Sequence, residues 1–78
     1  MENKATLDSI SVGELRCVSD VFEDGSVRRR LFDLGFSVGE RVRCVGTGSL
    51  GDPVMLTVGG RVVAVRRRDL KRIYTELI

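Results

Sequence analysis

Histidine and tryptophan are absent, and cysteine, proline and aromatic residues are scarce. The 78-residue chain has two cysteines, one proline, three phenylalanines and one tyrosine. Without histidine there is no side chain whose ordinary titration range sits near neutral pH, which removes the usual general acid–base group and the commonest imidazole metal ligand. Cys17 and Cys44 lie far apart and form no CxxC pair. A zinc site built on them would need carboxylates to complete it, and none cluster in the sequence. A disulfide between them is disfavoured in a reducing compartment. No apolar run approaches the ~20 residues of a membrane-spanning helix. The start, Met1-Glu2-Asn3-Lys4, lacks the basic-then-apolar profile of a secretory signal. The expected location is therefore the cytoplasm, with no direct membrane insertion. There is no phosphate-cradling Gly-x-x-x-x-Gly-Lys segment and no evident nucleophile–base pair, so a non-enzyme is expected.

What is present fits one small globular domain. A chain of this length buries only about 60% of its unfolded surface, which leaves little room for an interior cleft. Charged residues make up 31% and the hydrophobic set 42%, with a net charge of +2. The basic side is nearly all arginine, concentrated in Arg28–Arg30 and Arg66–Arg68. Residues 1–5 read as a flexible tail and 6–78 as the domain.

Apolar spacing divides the domain into elements. Leu7 and Ile10 suit one helical turn. Leu15–Val21 reads as a strand with a bulge near Ser19-Asp20 to bring its apolar residues to one face. The clearest helix follows, with Asp24 or Ser26 as cap. Its stripe is Val27, Leu31 and Leu34, and Gly35 stands at its C-terminal end with Phe36 folding back. Arg28 and Arg29 point away from that stripe, and Phe32 lies about 140° around from Val27. Arg41–Val45 alternates charged with apolar, so Val42 and Cys44 face inward. A loop over 46–53 leads to a strand Val54–Val58, a tight turn at Gly59-Gly60 and a strand Arg61–Val65. Arg66–Arg68 run into a single turn at Asp69-Leu70, and a final strand ends near Leu77. The fold class expected is mainly β: a small barrel of about five short strands, one helix inserted between the first and second, closed so as to leave no raw edges.

Four stretches carry a resemblance. Arg29-Arg30-Leu31-Phe32-Asp33-Leu34-Gly35-Phe36, Val38-Gly39-Glu40-Arg41-Val42, Leu50-Gly51-Asp52-Pro53-Val54 and Ala64-Val65-Arg66 together resemble the FeoA family of ferrous iron transport proteins, over roughly Leu7 to Leu77. The resemblance implies an SH3-like barrel, related to the C-terminal domain of DtxR-type iron-dependent repressors. It further implies an accessory role beside the FeoB-type membrane transporter with its GTP-binding domain, and the family is commonly described as binding a transition metal ion.

Three functions are weighed. The first is a protein-binding module of ferrous iron transport that uses Arg28, Arg29 and Phe32 on the helix and Leu50 at a loop tip, since arginine and aromatic residues are favoured at interface hot spots. Against it, Phe32 can simply cap the core and the arginines can be solvated charge. The second is nucleic-acid binding through the two arginine triplets, for which the charge is low and Phe22, Phe32, Phe36 and Tyr74 are few for stacking. The third is direct binding of a transition metal such as ferrous iron by some of Asp8, Glu14, Asp20, Glu23, Asp24, Asp52 and Asp69 with Cys17, although no two fall at a recognised ligand spacing. Caps and solubilising charge account for these carboxylates better. A homo-oligomer is compatible with all three.

Overall fold

Short strands separated by turn glycines build the molecule, whose structure, a computed structural model, describes residues 4–21 and 25–77. Six strands form one antiparallel sheet: β1 (Lys4–Thr6), β2 (Leu15–Val21), β3 (Arg41–Thr47), β4 (Val54–Val58), β5 (Arg61–Val65) and β6 (Ile73–Leu77). Their order is β1-β6-β2-β3-β4-β5. Helix α1 (Ser26–Asp33) follows β2, and a short α2 (Arg67–Leu70) follows β5. The architecture is the mainly β, SH3-like barrel expected, with the helix between β2 and β3 rather than between the first and second strands, because β1 precedes the strand expected to be first.

The strand count is six rather than five. The extra strand is β1, which takes Lys4 and Ala5 out of the expected tail. Lys-Ala-Thr has no apolar alternation of its own. Its conformation is imposed by pairing with β6, where Ala5 faces Thr75 and the Thr75 hydroxyl donates to the Ala5 carbonyl at 2.8 Å. The bulge in β2 is where the apolar spacing required it: the register against β6 shifts between Val18 and Asp20. That extra residue lets Val18 and Val21 enter one core although they are three apart.

In β3, Val42 and Cys44 are buried and the flanking arginines exposed. Gly59 and Gly60 turn the chain with φ of 58° and 82°, the two left-handed positions a tight hairpin demands. Leu31 of α1 is fully buried, with Val27 and Leu34 packed beside it. The α1 N-cap is Gly25, without a side-chain hydrogen bond; Ser26 is the first helical residue and Asp24 lies outside the described residues. At the other end Gly35 N–H donates to Phe32 O and Phe36 N–H to Leu31 O, the paired bonds of a Schellman cap, and Phe36 drops into the core. The 3-10 turn Leu7–Ser9 and α2 add Leu7 and Leu70. The sheet does not close by hydrogen bonding, for β1 and β5 stand at its two ends unpaired with each other. Helical segments contribute the remaining core side chains, so the core fills without a β1–β5 ladder.

Candidate functional site

The outer face of α1 carries three of the four expected binding residues together. Arg28, Arg29 and Phe32 are all exposed, and with Gly25 and Asp33 they line an open depression of about 290 Å³. The Arg28 guanidinium lies 5.0 Å from the centre of the Phe32 ring. That stacking is a cation–π contact worth roughly 0.5–1 kcal/mol at an exposed site. Phe32 retains 36% exposure, so it is not the core cap weighed from the sequence. Its angular offset from the Leu31 seam puts it outside the sheet contact while Leu31 fills the interior.

Two exposed contacts tie the helix to its neighbours. Arg30 pairs with Asp69 of α2 at 2.8 Å, and Arg61 donates to the Asp33 carbonyl at 3.2 Å. Members of the second arginine triplet are engaged as well. Arg66 lies 3.7 Å from Asp52, and Arg67 is taken up entirely by the fold. Its Nε donates to Gly51 O at 2.7 Å, its backbone N–H to Asp52 Oδ1 at 3.0 Å and its guanidinium to Asp8 O.

Leu50 sits on a different segment. The loop after β3 forms a 3-10 turn, Ser49–Gly51, and Leu50 at its tip is fully exposed with φ 60° and ψ 22°. A bulky residue in the left-handed region costs of order 1–3 kcal/mol. Arg67 and the Gly48 N–H to Pro53 O bond, 2.8 Å, hold the loop from both sides. The sequence reading placed Leu50 at a loop tip, and there it is, tied to α2 rather than to the α1 face.

The described metal-ligand candidates are engaged elsewhere. Asp8 accepts from the Thr6 hydroxyl, Asp20 from the Val21 N–H, Asp52 from the Arg67 N–H, and Asp69 pairs with Arg30 and Arg72. Among the described residues no three histidine, cysteine, aspartate or glutamate side chains converge on a point. Glu23 and Asp24 lie outside them. Cys17 is half-buried and Cys44 buried, both as free thiols. Among the described residues the donor set does not fit a resident metal ion.

Sequence reasoning missed the main polar cluster. Arg16 is buried to 5% exposure and forks onto Glu14, with Nε to Oε2 at 2.9 Å and Nη2 to Oε1 at 3.2 Å. Nη1 donates to Thr6 O, Ser9 Oγ and Thr75 Oγ1. The Arg16 bonds, then the Ser11 N–H, hold the Glu14 carboxyl below its usual range. The signal was the i, i+2 spacing of Glu14 and Arg16, which on a strand puts both on one face.

The FeoA domain model matches residues 5–77. Iron(II) transport protein A from Clostridium thermocellum superposes with a TM-score of 0.90 at 26% identity, over 95% of this chain and 46% of that one, so this chain spans about half its length. A Stenotrophomonas maltophilia FeoA, complexed with zinc and described as an SH3 domain protein, is 32% identical over 92% of this chain and 89% of its own, with a TM-score of 0.80. T. acidophilum IdeR shares the fold at 17% identity and a TM-score of 0.81, over 96% of this chain and 34% of that one. No curated protein sequence matches. Among the described residues no helix is long and apolar enough to cross a membrane.

Proposed function

This chain belongs to the FeoA family, and on that premise we propose that it is an accessory protein of ferrous iron transport whose α1 face docks on the cytosolic GTP-binding region of a FeoB-type transporter. The observation that carries the reading is the stacked, exposed Arg28–Phe32 pair beside Arg29, on a helix fixed by Arg30–Asp69 and Arg61–Asp33. A preorganised arginine–aromatic anchor loses little freedom on binding, which is the character of an interface hot spot. The names of the similar proteins support the transport role, one being an iron(II) transport protein and another a FeoA described as a possible ferrous iron transport activating factor. In this reading iron is the transporter's cargo, and the chain contributes a surface.

Titration of the chain against the transporter's purified soluble domain tests the proposal. The Arg29→Glu, Phe32→Ala double variant is expected to bind roughly thirty-fold weaker or worse, the loss of about 2 kcal/mol typical of anchor truncation. Equal binding by wild type and variant overturns the assignment of the site.

A further inference from the structure

The free edge of β5 is a second surface, remote in kind from the α1 face. β5 is the last strand of the sheet and pairs only with β4. The two-residue turn between Val58 and Arg61 sets the phase of that pairing. The pair closing such a turn exchanges both hydrogen bonds, and bonded and non-bonded pairs then alternate. Val62 and Ala64 fall at the non-bonded positions, so their N–H and C=O groups point away from β4. Among the described residues nothing outside the sheet hydrogen-bonds to them. Val62 is 61% exposed, Ala64 is exposed, and Met55 lies directly across from Ala64 on the same outer wall.

The charged side chains on the strands at this edge are basic, while Asp52 lies 3.7 Å from Arg66 and Arg61 reaches the Asp33 carbonyl. β3, β4 and β5 contain Arg41, Arg43 and Arg61 and no aspartate or glutamate, and Arg66 follows directly after β5. Arg61 and Arg66 thus bracket an apolar run, Val62–Val65, at both ends. A second copy of this chain suits the hydrogen-bond phase but not the charge. Antiparallel pairing about Val63 sets Val62 against the copy's Ala64 and Arg61 against the copy's Val65, one residue from the copy's Arg66, so each end of the shared ladder gathers two cations and no carboxylate from the paired strands, an unfavourable concentration of like charge. We propose that the β5 edge receives an extended segment of a partner protein, apolar at its centre and carrying carboxylates at both ends, which adds to the sheet as a further strand. The backbone supplies the affinity, and Arg61 and Arg66 the choice of partner.

The test uses the full chain and two labelled nonapeptides of alternating valine and threonine, one ending in two glutamates on each side, the other in two lysines. The expected result is binding of the glutamate peptide at least about tenfold tighter than the lysine peptide at low salt, with the preference shrinking as salt rises. Ala64→Pro removes an edge donor without touching the β4 ladder, a place where proline is tolerated. It is expected to stay folded by circular dichroism and lose the peptide. Arg61→Glu with Arg66→Glu is expected to reverse the preference, an outcome that unfolding cannot mimic. Arg29→Glu with Phe32→Ala is expected to bind the peptide as wild type does. The proposal is overturned by equal binding of both peptides, by none, by a folded Ala64→Pro variant that binds normally, or by a preference that survives charge reversal. A wild-type dimer in sedimentation that Ala64→Pro dissociates, with no peptide bound, also overturns it by giving the edge to a second copy.

Discussion

Arg16 is buried, and five acceptor contacts surround its guanidinium. The Glu14 carboxylate is the one formal negative charge among them. Removing the cation strands those acceptors, whereas Glu14 is on the wet side of the pair and can rehydrate. Arg16→Met should therefore cost about 2 kcal/mol, less than the ~3–5 kcal/mol of a fully buried broken pair, read as a lower urea midpoint at neutral pH. The pair also sets a direction with pH. The folded-state pKa of Glu14 is depressed, so its contribution is complete above about 4.5, the ordinary value, and is lost as pH falls through the lower folded value. Acidification over that window should destabilise wild type more than Arg16→Met, in which the main cause of the depression is gone. An equal acid decline in both would show that Arg16 does not tune Glu14.

Each element was legible in proportion to how locally it is determined. The α1 stripe, the β2 bulge and the Gly59-Gly60 turn are written in nearest-neighbour chemistry, and all three stand where the spacing put them. β1 was not legible, because Lys4–Thr6 is extended only through its partners on β6. Nothing local announces that the Arg67 guanidinium will hold a loop sixteen residues upstream. The clustering of Arg28, Arg29 and Phe32 followed from helical periodicity, but the stacking of Arg28 on Phe32 needed the rotamers. The end of α1 offers a sharp check of the local part. Gly35 has φ of 109°, and a Cβ there would meet Val58 Cγ1 at 2.8 Å. Gly35→Ala combines backbone strain with a core clash and should cost about 2–4 kcal/mol, measured by denaturant unfolding. A change below about 1 kcal/mol would mean that the α1–β4 contact is looser than described.

At the scale of the whole molecule, no segment owns a core of its own. Buried side chains come from β2 to β6, from both helices and from the 3-10 turn near the start, and they form one cluster. Loss of any strand would expose its neighbours, so unfolding should be a single cooperative step. Urea transitions followed by Tyr74 fluorescence and by far-ultraviolet circular dichroism are expected to coincide. Separate midpoints would reveal that the N-terminal strand or the hairpin melts on its own. The two proposed binding surfaces lie on different elements of this one unit, α1 and β5, and meet at Arg61, whose guanidinium donates to the Asp33 carbonyl at the end of α1.

Lys4 lies opposite Glu76 in the pairing of the first and last strands. Entry and exit of the polypeptide are consequently neighbours, like the two leads of a plug. Such a body can be grafted behind another domain, or spliced into a host's surface turn, without prying open its own interior, and a fold carried as 34% of IdeR has the portability that this wiring permits.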